Sequence, residues 1–395
     1  MKTRIKIVGR RVDEFRLILL VSFIWFMVQF LRYVFPPLFG TFQASYGVSS
    51  TQTGFLFTLL MLGYSAVQFP AGLFADRFGA PRIITGGIVV FTAAAVAAFF
   101  ATTFQLLLVA AVVIGAGTGV HKTVAIPYLS KVYPQRTGRA LGTMDTIGQF
   151  GGIAAPIVVT GLLATVFPWR TVFLGSAFVS AILAILFYTT AMAEAPDSPD
   201  PGADENGDIT QYVTIFTERR FLLFLIVTTL FTFAWNAVAS FFPLYLSDQK
   251  GFSTGLAGLA YSVLFAASLS QVVTGDLSDR FGKLAISLVL FLVMIASLVA
   301  IIATNSLILL FLMTALMGVG FHGFRPVRDS YLVDLIPDSI GGGTLGVIRT
   351  IMTVIGALAP VTVGFVADRQ GFVEAFGLIV VVLTVSVGVL VVLRE

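Results

Sequence analysis

The sequence predicts an all-α membrane protein, with twelve transmembrane helices arranged as two pseudo-symmetric six-helix bundles. Three observations carry that expectation. The 395 residues are 57% hydrophobic and only 11% charged, with mean hydropathy +0.97, so a soluble fold would leave too much apolar surface in water. Apolar stretches long enough to cross a bilayer recur along the whole chain. A charged stretch between two of them, Gly72-Leu73-Phe74-Ala75-Asp76-Arg77-Phe78-Gly79-Ala80-Pro81-Arg82, returns 203 residues later as Gly275-Asp276-Leu277-Ser278-Asp279-Arg280-Phe281-Gly282-Lys283, which marks a duplicated half.

The elements follow in order. Met1 to Arg11 is basic, and the apolar run after it, Leu17 to about Phe39, is too long for the core of a signal peptide and has no small-residue cleavage site behind it. It reads as the first span. Apolar runs then place spans at 16–41, 52–75, 81–103, 105–132, 139–167, 170–192, 219–246, 255–277, 283–304, 306–335, 342–367 and 371–393. The long polar break holds Glu194, Asp197, Asp200, Asp204, Glu205 and Asp208 with three prolines and no Lys or Arg. Such a composition cannot bury a core and is expected to be a disordered linker. The organisation is therefore residues 1–192 as one bundle, 193–218 as an acidic linker, and 219–395 as the second bundle.

Charge sets the orientation. Twelve spans put both termini on one side of the membrane. Of the 24 Lys and Arg, 16 fall on that side, three (Arg170, Lys250, Arg369) on the other, and five within spans. Cytoplasmic loops carry the excess of Lys and Arg, so termini and linker are expected in the cytoplasm of a cell-membrane protein. The net charge of +4 reflects those loops; no basic stripe with interleaved aromatics suggests nucleic acid. The chain has no cysteine, which excludes thiolate metal sites, and its two histidines cannot by themselves make a conventional structural zinc site; it has no Gly-Lys-Ser/Thr phosphate loop and no Ser-His-Asp or metal-ligand spacing. An ATP-driven pump and an enzyme are both disfavoured.

The halves match beyond the repeated stretch. Gly115 and Gly117 pair with Gly318 and Gly320, and Pro134 with Pro337, at offset 203; Gly142, Gly152 and Pro156 pair with Gly346, Gly356 and Pro360 at offset 204. Glycines there let helices pack closely. The stretch Gly72-Leu73 through Asp76-Arg77-Phe78-Gly79 and Arg82 resembles the signature between the second and third helices of the major facilitator superfamily. Gly115-Ala116-Gly117-Thr118-Gly119 with Pro127, Arg136-x-x-Arg139-Ala140-x-Gly142, and Trp169-Arg170-x-x-Phe173 resemble the same family. The resemblance implies two six-helix bundles around a central cavity working by alternating access. It also implies a contact between Asp76 and the start of the eleventh helix near Gly341-Gly342-Gly343, mirrored by Asp279 at the fifth helix, with Arg77 and Arg280 in the same gating loops. A carboxylate at a helix N-terminus is favoured by roughly 0.3–1 kcal/mol.

Ionisable groups inside spans are costly, which makes them candidates for function. Arg32 lies deep in the first span before Pro36-Pro37. His121 and Lys122 are adjacent in the fourth span; His322, Arg325, Arg328 and Asp329 lie in the tenth. Lys122 and Arg325 are equivalent at offset 203. The family resemblance places helices one, four, seven and ten around the cavity, and cations there suit a carboxylate or phosphate. Tyr64 and Gln68, one turn apart, are candidate lining groups. Asp145 and Arg349, equivalent and opposite in sign, are gating candidates: Asp145 pairs either with Arg349 or Arg328 of the other half, or locally with Lys122, leaving Arg349 to Asp329. Arg325 could likewise form a structural bridge to Asp329. His121 and His322 are candidates for proton coupling, against a plainer packing role.

The expected function is secondary active transport of a small organic or phosphorylated anion, without a cofactor, by a chain acting as a monomer in the lipid bilayer. A proton-coupled exporter of drugs or lipophiles is the alternative. The family resemblance implies a Gly-Pro signature in the fifth helix of such exporters; here Ala155, not glycine, precedes Pro156, and buried cations repel cationic drugs, which weakens the alternative. A ligand-sensing receptor is a further alternative, disfavoured by the lack of a signalling domain.

Overall fold

A computed structural model describes the backbone of residues 2–193, 216–336 and 341–394, and the side chains of these except 2–14, 193 and 341–347. The expected linker lies almost wholly outside the described residues. Among those residues the chain is helical throughout, with twelve helices long and apolar enough to cross a membrane. We number them α1 (Phe15–Tyr46), α2 (Ser50–Phe78), α3 (Ala80–Phe99), α4 (Phe104–Val132), α5 (Thr137–Leu163), α6 (Thr171–Met192), α7 (Arg219–Gln249), α8 (Thr254–Phe281), α9 (Lys283–Ala303), α10 (Leu307–Leu335), α11 (Ile348–Gln370) and α12 (Phe372–Arg394).

Every expected span is present and in order. The largest differences are at the ends. The stretches read from sequence as charged loops are helical: α2 continues through Asp76-Arg77 to Phe78, and α8 through Asp279-Arg280 to Phe281. Nothing in those stretches breaks a helix until the glycine that follows. Gly79 and Gly282 adopt φ of 88° and 92°, a conformation other residues avoid, and each closes its helix from there.

Several spans are interrupted. α1 stops at Tyr33, passes through a 3-10 turn at Pro36–Leu38 and resumes at Phe39, because two consecutive prolines cannot donate to the preceding turn. α2 breaks at Val67, three residues before Pro70, and α11 at Leu358, just before Ala359-Pro360. α8 carries a 3-10 segment at Ala267–Ser270, at the level repeating the α2 break but without a proline.

The chain divides into two compact units. One comprises residues 1–34 and 59–203, the other 35–58 and 204–395. In the first, α1 packs along α5, and α3 against α4 and α6; in the second, α7 packs along α11, and α9 against α10 and α12. The same three pairings in each unit are the structural form of the repeat. The repeated glycines serve it: a side chain at Gly115 would overlap the Leu60 carbonyl, and one at Gly318 would press on the Leu264 carbonyl, so α4 approaches α2 as α10 approaches α8.

Candidate functional site

In the first unit the polar groups gather on α1, α2, α4 and α5. Trp25 of α1 is 4% exposed. Its indole lies flat on His121 of α4, with ring centroids 5.9 Å apart and 14° between planes. Lys122 places its Nζ 5.2 Å from the Trp25 ring. The indole fits only because α5 presents Gly148 beneath it, where any side chain would overlap the ring. Lys122 Nζ also donates to Asp145 Oδ1 of α5 at 3.0 Å. Of the two pairings considered for Asp145, the structure thus shows the one within its own half.

Two turns further along α1, Arg32 is half-buried against a second aromatic. Its guanidinium carbon sits 4.4 Å from the Tyr64 ring centroid and 5.5 Å from that of Tyr33. Nη1 donates to Gln29 Oε1 at 3.4 Å, Nη2 approaches the Met61 sulfur at 3.5 Å, and buried Nε meets no acceptor. None of the four ion pairs among the described residues includes Arg32. Gln68 is half-buried just past the break in α2.

The second unit repeats the arrangement with different residues. Trp235 of α7 is 5% exposed. It meets His322 of α10 edge-on, ring centroids 5.0 Å apart, and Arg325 of α10 places its guanidinium carbon 4.7 Å from the indole centroid. Phe265 of α8 closes the cluster, 5.6 Å from Trp235 and 5.8 Å from His322. Each unit therefore holds a tryptophan of its first span against a histidine and a cation of its fourth. A cation over an aromatic face is attracted by the ring quadrupole by about 0.5–2 kcal/mol.

Both histidines are buried, His121 at 2% and His322 at 0% exposure. The Val21 and Leu264 backbones lie near the rings, but no ring nitrogen reaches hydrogen-bond geometry. Arg328 turns to its neighbour: Nη2 lies 2.7 Å and Nε 2.8 Å from Asp329 Oδ1. Asp329 is thus held by Arg328. Arg349 is exposed on α11.

The expected gating residues stand at helix ends. Asp76 and Arg77 are exposed, with Arg77 folded over Phe78 at 5.4 Å; Asp279 is exposed, and Arg280 pairs with Asp276 one turn back at 3.0 Å. Residues 337–340, which lead into the helix expected to receive Asp76, lie outside the described residues. The Trp169-Arg170 motif is a structural fastening: Arg170 Nε donates to the Ala101 carbonyl at 3.1 Å, tying the start of α6 to the end of α3.

Trp25 and Gly148 were not legible from spacing. Trp25 stands 96 residues from its histidine, and intramembrane charge, the signal that led to Lys122, says nothing about its aromatic neighbour.

A sequence profile of the Major Facilitator Superfamily matches residues 21–302 and 254–395. A probable 4-methylmuconolactone transporter of Cupriavidus pinatubonensis is 26% identical over 89% of this chain and 84% of its own. The hexuronate transporter of Bacillus subtilis is 24% identical over 82% and 81%, and multidrug resistance protein 1 of the same organism 25% over 82% and 83%. Among solved structures, a bacterial homologue of the human lysosomal transporter Spinster, inward-facing and unoccupied, superimposes with TM-score 0.82 at 17% identity, covering 96% of this chain and 97% of that one.

Proposed function

We propose that this chain, which belongs to the Major Facilitator Superfamily, is a secondary transporter of a small organic anion. That it is a multi-pass membrane transporter and not an enzyme follows from the family and from relatives that are themselves transporters. The anion is the further step. Arg32 carries it: a guanidinium inside a span, seated on Tyr64, with no carboxylate partner among the described residues. A permanent cation in that setting is expensive unless something answers its charge, and a carboxylate does so through two parallel hydrogen bonds. Lys122, already shared with Asp145, is the weaker anion contact of its unit. Arg325, over Trp235, is the corresponding group of the second unit.

Relatives that carry a hexuronate and a methylmuconolactone support the reading; the multidrug relative supports the exporter alternative. The buried rings of His121 and His322, packed on tryptophan, favour a structural role over proton carriage. The Lys and Arg distribution favours cytoplasmic termini.

The test is ligand-dependent thermal stabilisation of the purified protein, with hexuronate, muconate, inorganic phosphate and a cationic dye as probes. A ligand binding only the folded state should raise the melting temperature by about 2–5 °C. Stabilisation by a carboxylate that is lost in Arg32→Gln supports the proposal. Stabilisation by the dye, unchanged in Arg32→Gln and Arg325→Gln, replaces it with the exporter reading.

A further inference from the structure

At the end of α2 nearest Ser50, three hydrogen bonds converge on one carboxylate. Asp368, in the last turn of α11, accepts from the Ser50 backbone N–H at 2.9 Å, the Thr51 backbone N–H at 2.7 Å and the Thr51 hydroxyl at 2.6 Å. The two backbone donors are the first N–H groups of a 17-residue helix, Ser50–Ala66, which its own turns cannot satisfy. All of these residues belong to the second unit.

The contact is built along two further turns. Thr58 Oγ accepts from the Val361 N–H at 3.2 Å, a donor left over by the break before Pro360. Between the two bonding points the helix backbones touch. A side chain at Gly54 would overlap the Pro360 carbonyl, and one at Gly364 would overlap the Ser50 carbonyl. Two sets of hydrogen bonds thus fasten residues 50–58 to α11 within the second unit, and two glycines allow the close approach between them.

A sequence signal accompanies them. Gly364-Phe365-Val366-Ala367-Asp368-Arg369-Gln370-Gly371 is a third copy of the pattern Gly-x-x-x-Asp-Arg-x-Gly, after Gly72–Gly79 and Gly275–Gly282. It ends in the same way, on a glycine at φ 107°. By chain topology it lies on the membrane face opposite the termini, whereas the first two copies lie on the termini's own face.

We propose that Asp368 is a positioning residue of the transport cycle: it latches the Ser50 end of α2 to α11 and must release it for the face opposite the termini to open. A charge-assisted cap suits this duty. Its bonds form to backbone donors that water can satisfy once they part, so the closed state is held without trapping the open one. The proposal is independent of the substrate.

Because the chain has no cysteine, single cysteines report directly on accessibility. Thr58 is 2% exposed and sits at the contact. Thr58→Cys in lipid nanodiscs should react slowly with a membrane-impermeant maleimide. Adding Asp368→Asn should speed alkylation by about tenfold, and Asp368→Ala by more, as expected from losing charge-assisted bonds. The control is Ser287→Cys on α9, fully buried in the same unit and away from the latch. An unchanged Thr58→Cys rate in both variants overturns the proposal. So does equal acceleration at Ser287→Cys, which would mean general loosening.

Discussion

Gly148 shows how much a single residue can decide. The Trp25 indole rests on its backbone, so even a methyl group there displaces the ring that supports Lys122 and His121. Gly148→Ala should cost about 1–3 kcal/mol in stability, the usual penalty for overpacking, read as a lower melting temperature; an unchanged value would mean that the ring has room to move. The Lys122–Asp145 pair is different. Its side chains are 35% and 47% exposed, so a double-mutant cycle with Lys122→Gln and Asp145→Asn should return a coupling of about 0.2–1 kcal/mol; a value of several kcal/mol would mark it as a principal strut. At this scale the charged residues were legible because charge inside an apolar run is conspicuous. Their aromatic partners were not, since a tryptophan in an apolar run looks like any other packing residue. Asp368 was readable as a repeat of the Asp76 pattern, but its spacing breaks the offset that links the two halves.

Four helices close on glycines of positive φ (Gly47, Gly79, Gly282 and Gly371) and α1, α2 and α11 break beside prolines, signals visible in sequence, although Pro127, Pro156, Pro243 and Pro326 lie inside helices. The spans were therefore legible to within a few residues. The misreading lay in taking the charged Asp-Arg stretches for loops: polarity marks where a helix leaves the apolar layer, not where it ends. Gly79 and Gly282 set the true ends through positive φ. Gly79→Ala should therefore cost about 1 kcal/mol or more, measured by thermal unfolding, whereas Gly86→Ala, in a helix interior with open space around it, should be neutral or stabilising. Equal effects at the two positions would show that backbone conformation is not what fixes the end of α2. The α8 break at Ala267–Ser270 shows the limit of such rules, since no proline announces it.

For the molecule as a whole, duplication and charge were the strongest signals. The same helix pairings recur in both units, as the 203-residue offset implied. Less accessible was the grouping of residues 35–58 with the second unit. An apolar run records that a segment spans, not which helix it will lie against: residues 36–46 lie against α7, and close approach at Gly54 and Gly364 brings the start of α2 onto α11. Orientation is testable directly. A green fluorescent protein fused after Glu395 should fluoresce, and alkaline phosphatase fused after Lys250 should be active; the opposite pair of results would reverse the topology drawn from the Lys and Arg distribution.

The tryptophans have an optical consequence. The chain contains three, Trp25, Trp169 and Trp235, all at most 7% exposed. Two of them sit beneath the cations proposed to meet the anion, one per unit, and the third is engaged with Arg170 at 4.5 Å. With Trp169→Phe in place, every remaining indole photon originates beside a proposed binding cation. Anything that draws Lys122 or Arg325 off its ring changes the field at that indole, so the unlabelled protein can be titrated by its own emission, and Trp25→Phe or Trp235→Phe then assigns the response to one half.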